Sequence, residues 1–223
     1  MDISNLVQTV LIYALPVIFA ITVHEAAHGY AARHFGDDTA YMLGRMTLNP
    51  VKHIDPVGTI LMPLMLYFAT SGAFLFGYAK PVPVNFGHLR NPKRDMIWVA
   101  LAGPASNFAM AIGWALLLVG LIAGGVEESF FLRMAQGGVL VNLVMWAFNL
   151  FPLPPLDGGR VLAGLLPRGG AQTVLARIEP YGFFIVMGLV LAGVVSTWWL
   201  RPLMAFGSQA IGLMISPLTA LLR

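Results

Sequence analysis

Six apolar stretches alternate with short polar ones along the 223 residues: Leu6–Ala32, Pro56–Ala79, Met96–Ala123, Phe130–Leu153, Ile178–Leu200 and Pro202–Leu222. Each has the roughly 20 residues a helix needs to cross a bilayer. Four loops divide the first five: polar Arg33–Asp55, Pro- and Lys/Arg-bearing Lys80–Asp95, acidic Gly124–Ser129 and Gly/Pro-rich Pro154–Arg177. Trp198-Trp199 and Arg201-Pro202 read as an interfacial turn before the last run. The pattern predicts an all-α membrane protein, a polytopic helical bundle with five or six transmembrane helices and a re-entrant segment or small β-hairpin. It forms a single integral membrane domain over 1–223, with a core at 5–162 and a C-terminal helical pair at 177–222.

The second run decides between five crossings and six. If it crosses, two Lys/Arg-rich loops face opposite compartments. If it dips in and returns, eleven of the 13 Lys and Arg share one side: Arg33, Arg45, Lys52, Lys80, Arg90, Lys93, Arg94, Arg160, Arg168, Arg177 and Arg223. Only Arg133 and Arg201 remain on the other. Positive charge collects on the cytoplasmic side of membrane proteins, so the re-entrant topology is preferred, with five crossings, the N-terminus outside and the C-terminus inside. Gly58, Pro63, Gly72 and Gly77 suit non-helical backbone shielded from lipid. Six crossings is the alternative.

Composition agrees. The chain is 58% hydrophobic and only 10% charged, against about 25% charged in soluble domains, and its mean hydropathy is +0.77. A net charge of +3 with no dense basic run gives no reason to expect nucleic acid as a partner. The absence of cysteine excludes disulfides and thiolate metal ligands, so a metal site must use His and carboxylates. The first run lacks a basic leader and a small-residue cleavage site, and reads as a retained helix.

Chemistry enters at the end of that run, where Leu6–Val23 leads directly into His24-Glu25-Ala26-Ala27-His28. Residues four apart share a helix face, so His24 and His28 can bind one metal ion. Glu25 lies about 100° around the helix, placed to deprotonate a water held there, which is the H-E-x-x-H logic of a metal-dependent hydrolase. Ionisable groups at mid-span cost about 2.5–3.5 kcal/mol each. Three within five residues require a metal or a polar cavity.

The preferred topology makes the first and fourth runs parallel and brings Asn149–Arg160 (NLFPLPPLDGGR) to the His24/His28 end. A catalytic zinc takes three protein ligands, and Asp157 is the candidate third. Its plain alternative is a loop carboxylate capping a helix that starts near Arg160. Gly158-Gly159 are expected to let the backbone turn after Asp157.

With HEAAH in an apolar helix, AGPASN at Ala102–Asn107 and NLFPLPPLDGGR at Asn149–Arg160, the chain resembles the site-2 protease family of intramembrane zinc metalloproteases. GRMTLNPVKHIDPVGT at Gly44–Thr59 and YAKPVPVN at Tyr78–Asn85 look like its compact prokaryotic branch. The likeness covers roughly Val23 to Leu162. It implies Zn2+ held by His24, His28 and Asp157, with Glu25 as catalytic base. It also implies cleavage of a membrane-spanning substrate helix near the cytoplasmic side of a prokaryotic cell membrane. No PDZ insertion or nucleotide-binding appendage is recognisable.

Other residues are candidates for substrate contact. Asn142 and Asn149 share a helix face, and with Asn107 could line a cleft. Interhelical hydrogen bonding is the plainer role, preferred for Asn142, while the motif favours function for Asn149. In Lys80-Pro81-Val82-Pro83-Val84, the prolines remove donors from one strand edge and leave the Lys80, Val82 and Val84 amides on the other. That edge could pair with an unwound substrate; a Pro-rich connector is the alternative. His53 and Asp55 are alternative ligands that read more simply as turn residues. His34, Asp37 and Asp38 read as the solvated exit of the first helix, with Gly36 as its stop.

These readings converge on a zinc endopeptidase acting on membrane-protein helices within the lipid bilayer. Two rivals stand beside it. A non-catalytic scaffold or pseudoprotease would not need Glu25. A zinc transporter would need more polar residues along several spans.

Overall fold

In the computed structural model, residues 3–62, 65, 68, 77–167 and 169–220 are described. Among them the regular structure is helical, with no strand. The α-helices are α1 (Ile3–His34), α2 (Thr39–Met42), α3 (Pro92–Ala123), α4 (Ser129–Asn149), α5 (Asp157–Leu165), α6 (Gly170–Ile178), α7 (Gly182–Leu191) and α8 (Arg201–Ala220). Five helical stretches are long and apolar enough to cross a membrane: Val7–His34, Pro92–Ala123, Ser129–Asn149, Gly170–Leu191 and Ser196–Ala220. The chain is a multi-pass membrane protein.

α1, α3 and α4 pack on one another, α5 packs on α3, and α8 covers α3 and α4. The interior stripes repeat every fourth residue. On α1 they are Ile12, Pro16, Ala20, His24, His28 and Ala32; on α3 they are Asp95, Val99, Gly103, Asn107, Ala111 and Ala115. Small residues let helix backbones approach where apolar burial gives no driving force in lipid. A Cβ on Gly138 of α4 would lie 2.2 Å from the Trp114 ring of α3. The histidines therefore belong to a packed stripe, not to a lipid-facing side.

The bonds that join the helices also fix their directions. His24 reaches Asn107 and His28 reaches Val99, so α1 and α3 are antiparallel. The end of α1 meets the segment following α4, as the parallel arrangement of those two helices requires.

The interior of Pro56–Ala79 lies largely outside the described residues, but its ends are joined. The Tyr78 amide donates to the Gly58 carbonyl at 2.9 Å, and the Thr59 hydroxyl donates to the Tyr78 carbonyl at 2.8 Å. A Cβ on Gly58 would fall inside the Tyr78 ring's contact distance, at 2.3 Å. With its two ends in contact, the loops before and after it share one end of the bundle.

Those loops are knitted together by Asp37. Its carboxylate accepts from the amide and hydroxyl of Thr39 and from the Asn85 amide. Asp37 is fully buried, which corrects its reading as part of a solvated helix exit. Burial pushes its carboxyl up, but the Thr39 and Asn85 hydrogen bonds outweigh this and hold it below the usual carboxylate range. Gly36, at φ +110°, makes the expected stop after α1.

Two boundaries differ from expectation. The fourth crossing begins at Gly170, not Ile178, and its break falls at Ala192-Gly193, where Gly193 has φ +73°. The Trp198–Pro202 turn is instead a helical passage of wide turns, Ser196–Leu200, continuous with α8. Trp199 Nε1 donates to the Ala147 carbonyl at 2.7 Å, so that side chain is spent on packing against α4.

Candidate metal centre

His24 and His28 face inward from α1, ten and six residues before its end at His34. At 1.5 Å per residue, His24 sits about 15 Å inside the helix. The two Nε2 atoms are 3.1 Å apart. Asp157 Oδ2 lies 3.2 Å from His24 Nε2 and 3.3 Å from His28 Nε2. Among the described residues these three alone form a group with metal-ligand spacing.

The arrangement fits a cation. Asp157 Oδ2 is buried yet receives no well-directed hydrogen bond. His28 Nδ1 donates to the Val99 carbonyl at 2.8 Å, and His24 Nδ1 lies 2.6 Å from Asn107 Oδ1. With the Nδ1 protons engaged there, two Nε2 lone pairs and a carboxylate oxygen converge, which is the donor set of a catalytic zinc.

Asp157 arrives by close packing. It is the first residue inside α5, not a cap on a helix starting near Arg160, so the capping alternative is set aside. Gly158 and Gly159 lie inside the helix rather than in a turn after Asp157. Their missing side chains let α5 press on the chain leaving α4: a Cβ on Gly158 would be 2.2 Å from the Leu150 carbonyl oxygen, and one on Gly159 2.2 Å from Pro154 N. Gly103 plays the same part on α3. A Cβ there would stand 2.4 Å from His28 Nε2 and 2.6 Å from His24 Cε1. Gly103 stands within AGPASN, but its clearance function is not readable from one sequence.

A cavity of about 200 Å3 opens beside the cluster, with Glu25, Val82, Val84, Asn149 and Arg160 in its wall. Glu25 Oε2 accepts from the Val82 amide at 2.7 Å. Asn149 also donates to the Met145 carbonyl at 3.0 Å. Arg160, unremarked beyond its charge in the sequence, lies with its guanidinium 4.9 Å from the Phe86 ring centre.

Other expectations change. Asn107 is fully buried and absent from the cavity wall; it turns to His24 instead of a cleft. The Lys80–Val84 edge is not open. The Lys80 amide donates to the His53 carbonyl at 2.9 Å and the Val82 amide is taken by Glu25. Arg45 binds the Lys80 and Pro81 carbonyls, at 3.0 and 3.3 Å. Lys80 is exposed, away from the cavity. His53 bonds to the Thr47 carbonyl, and Asp55 caps the turn at Pro56 through the Val57 and Gly58 amides; neither joins the metal group.

The chain is 38% identical to YwhC of Bacillus subtilis, named as a candidate zinc metalloprotease, over 88% of this chain and 87% of that protein. It is 30% identical to Rip2 of Mycolicibacterium smegmatis and to Rip2 of Mycobacterium tuberculosis, similarly named, in each case over 82% of this chain and 67% of the relative. No protein-family model and no solved structure matches it. With this identity over most of both chains, a donor set suited to zinc and five apolar helices, the protein belongs to the zinc metalloprotease family of YwhC and Rip2, as a membrane metalloprotease.

Proposed function

We propose that the protein is an intramembrane zinc endopeptidase of the site-2 type, hydrolysing peptide bonds in or near transmembrane helices of membrane proteins. The observation that carries the reading is the His24–His28–Asp157 group, whose two histidines lie inside the candidate span Val7–His34, beside a cavity that Glu25 also lines. His24, His28 and Asp157 would hold the metal. Bound zinc supplies a Lewis acid that polarises a scissile carbonyl and acidifies water.

Glu25 is the base that accepts the water proton and returns it to the leaving amine. Its bond from the Val82 amide keeps the carboxylate over the cavity. Asn149, in the cavity wall, is placed to hydrogen-bond the substrate backbone. The cavity is smaller than the roughly 300–1,000 Å3 of small-molecule sites. A helix about 10–12 Å across does not fit, so a substrate segment unwinds before it enters. The Lys80–Val84 segment could then offer its unspent groups, including the Val84 amide, once its present bonds are exchanged.

The test is cleavage of single-span proteins in liposomes by wild type and Glu25→Gln, with zinc measured on the same samples. The variant should keep zinc and lose at least roughly 10²-fold in rate. Equal rates exclude Glu25 as the base. Bound zinc with no cleavage of any membrane substrate favours a scaffold.

The Lys/Arg-rich loops are assigned to the cytoplasm of a prokaryotic cell by the positive-inside rule. Cysteines replacing Asp38 and Gly87 should label from that side, and one replacing Ser129 from the other. Labelling of Asp38 and Gly87 positions from opposite sides overturns the five-crossing arrangement.

A further inference from the structure

Behind His24 stand two carboxamides in series. Asn107 Oδ1 faces His24 Nδ1 at 2.6 Å. Asn107 Nδ2 donates to the Ala20 carbonyl at 3.2 Å and to Asn142 Oδ1 at 3.0 Å. Asn142 Nδ2 donates to the Gly138 carbonyl at 2.9 Å. Both asparagines are fully buried, so bulk solvent does not compete for these bonds.

The far end of the series fixes the sense of every bond. A backbone carbonyl can only accept. Gly138 therefore orients the Asn142 amide, leaving its oxygen toward Asn107. The Ala20 carbonyl and that oxygen both require a donor, so Asn107 turns its NH2 to them and its oxygen to His24. An amide oxygen cannot donate, so the His24 Nδ1 carries the proton. A neutral imidazole has one N–H, and the lone pair is left on Nε2, the atom beside Asp157 Oδ2 and His28 Nε2.

We propose that Asn107, backed by Asn142, is the positioning residue that fixes His24 in its Nδ1–H tautomer and holds the ring for zinc. The inference rests on the reading of His24 as a zinc ligand. α3 serves both ligands from one face: the Val99 carbonyl orients His28, Gly103 clears space for both rings, and Asn107 orients His24. The two supports differ in kind. The one for His28 is backbone and survives any substitution of the Val99 side chain. The one for His24 is a side chain and can be removed.

The experiment measures zinc affinity by chelator competition on the purified full-length protein, in wild type, Asn107→Leu, Asn107→Asp and Asn142→Leu. Thermal unfolding in the zinc-free state reports folding. Asn107→Leu removes the acceptor at similar volume and should weaken zinc about 10–100-fold, the usual cost of losing an outer partner of a ligand. Asn107→Asp keeps an oxygen acceptor for His24 and should bind zinc much more tightly than the leucine variant. Asn142→Leu removes one of the two acceptors that orient the Asn107 amide and leaves the Ala20 carbonyl, so it should weaken zinc in the same direction by less.

A packing role predicts the reverse order, because leucine suits a buried helix interface and an ionisable aspartate does not. Wild-type affinity in folded Asn107→Leu, or equal losses in the leucine and aspartate variants, overturns the proposal. If Asn107→Leu does not fold, Asn142→Leu decides: weakened zinc supports the series, and unchanged zinc overturns it. Wild type that binds no zinc overturns the metal-site reading and this inference with it. Wild type that binds zinc beside unaffected variants overturns this inference alone.

Discussion

The spans Val7–His34 and Gly170–Leu191 have nearly the same mean hydropathy, 1.9 and 1.7, yet they do different work. α1 turns a stripe containing His24 and His28 against α3 and α4. In α7 only Gly182 and Val186 are buried, and Phe184 and Leu191 are exposed. The glycines show the contrast most directly. Gly103 and Gly138 stand where a Cβ would collide with rings of a neighbouring helix; Gly182 at the start of α7 and Gly207 in α8 are also crowded, but Gly188 and Gly212 further along those helices have open space around them. Hydropathy assigns a helix to lipid; it does not say whether its face will be lipid or the interior of a site. Four polar groups that lipid would penalise, His24, His28, Asn107 and Asn142, sit on the close-packed helices and find hydrogen-bond partners there.

The strongest way to break this contrast is to remove the third ligand. Asp157→Asn puts a neutral amide where the cluster needs a carboxylate. Zinc affinity should fall by more than the roughly 10–100-fold cost of losing an outer partner, and proteolysis with it. Metal analysis after dialysis against a chelator checks this. Zinc retained at wild-type affinity would remove Asp157 from the site.

Gly103→Ala sharpens the comparison between helices. The added methyl overlaps both imidazoles, so the site must shift, at a cost of about 1–3 kcal/mol, with lower zinc occupancy. Gly188→Ala and Gly212→Ala meet nothing and should leave zinc content and proteolysis unchanged. Thermal unfolding and metal content of the three variants separate the two regions. Equal effects would mean that the close packing around the histidines carries no special function.

A smaller effect is expected at the loop end of the bundle. The Asp37 carboxyl is held below its ordinary range by bonds that favour its charged form. Its contribution is therefore complete above the unfolded value of about 3.9 and is lost as pH falls through the lowered folded value. Hydrogen exchange of the Asn85 amide should rise relative to its intrinsic rate in that acid range. Asp37→Asn should remove the charged part of these bonds, about 1 kcal/mol, and abolish that pH dependence. A pH response unchanged by the substitution would place its cause elsewhere.

The metal group was legible because its signal is local. Two histidines four apart share a helix face whatever surrounds them, and charge in an apolar run calls for a partner. Asp157 was legible only through topology, from the distribution of Lys and Arg. Asn107 was visible as a polar residue in a span, but not its direction. The same side chain could face a cleft or a neighbouring helix, and burial on the α3 stripe turned it to His24. The free edge expected at Lys80–Val84 followed correctly from where the prolines remove donors, yet spacing along a strand cannot reveal that His53 and Glu25 take the amides.

By itself, then, the sequence determined the apolar spans, the shared helix face of His24 and His28 with Glu25 beside them, and the expectation of a third His or carboxylate ligand. Each depends on helix periodicity or on the cost of charge in lipid, and both act over a few residues. Tertiary structure alone decided that Gly103 and Gly158 are clearances, that Asn107 turns its oxygen to His24, and that Asp37 is the buried knot between two loops. These are matters of which surfaces meet and at what distance, and residues 71 or 83 positions apart come into contact only when the helices pack.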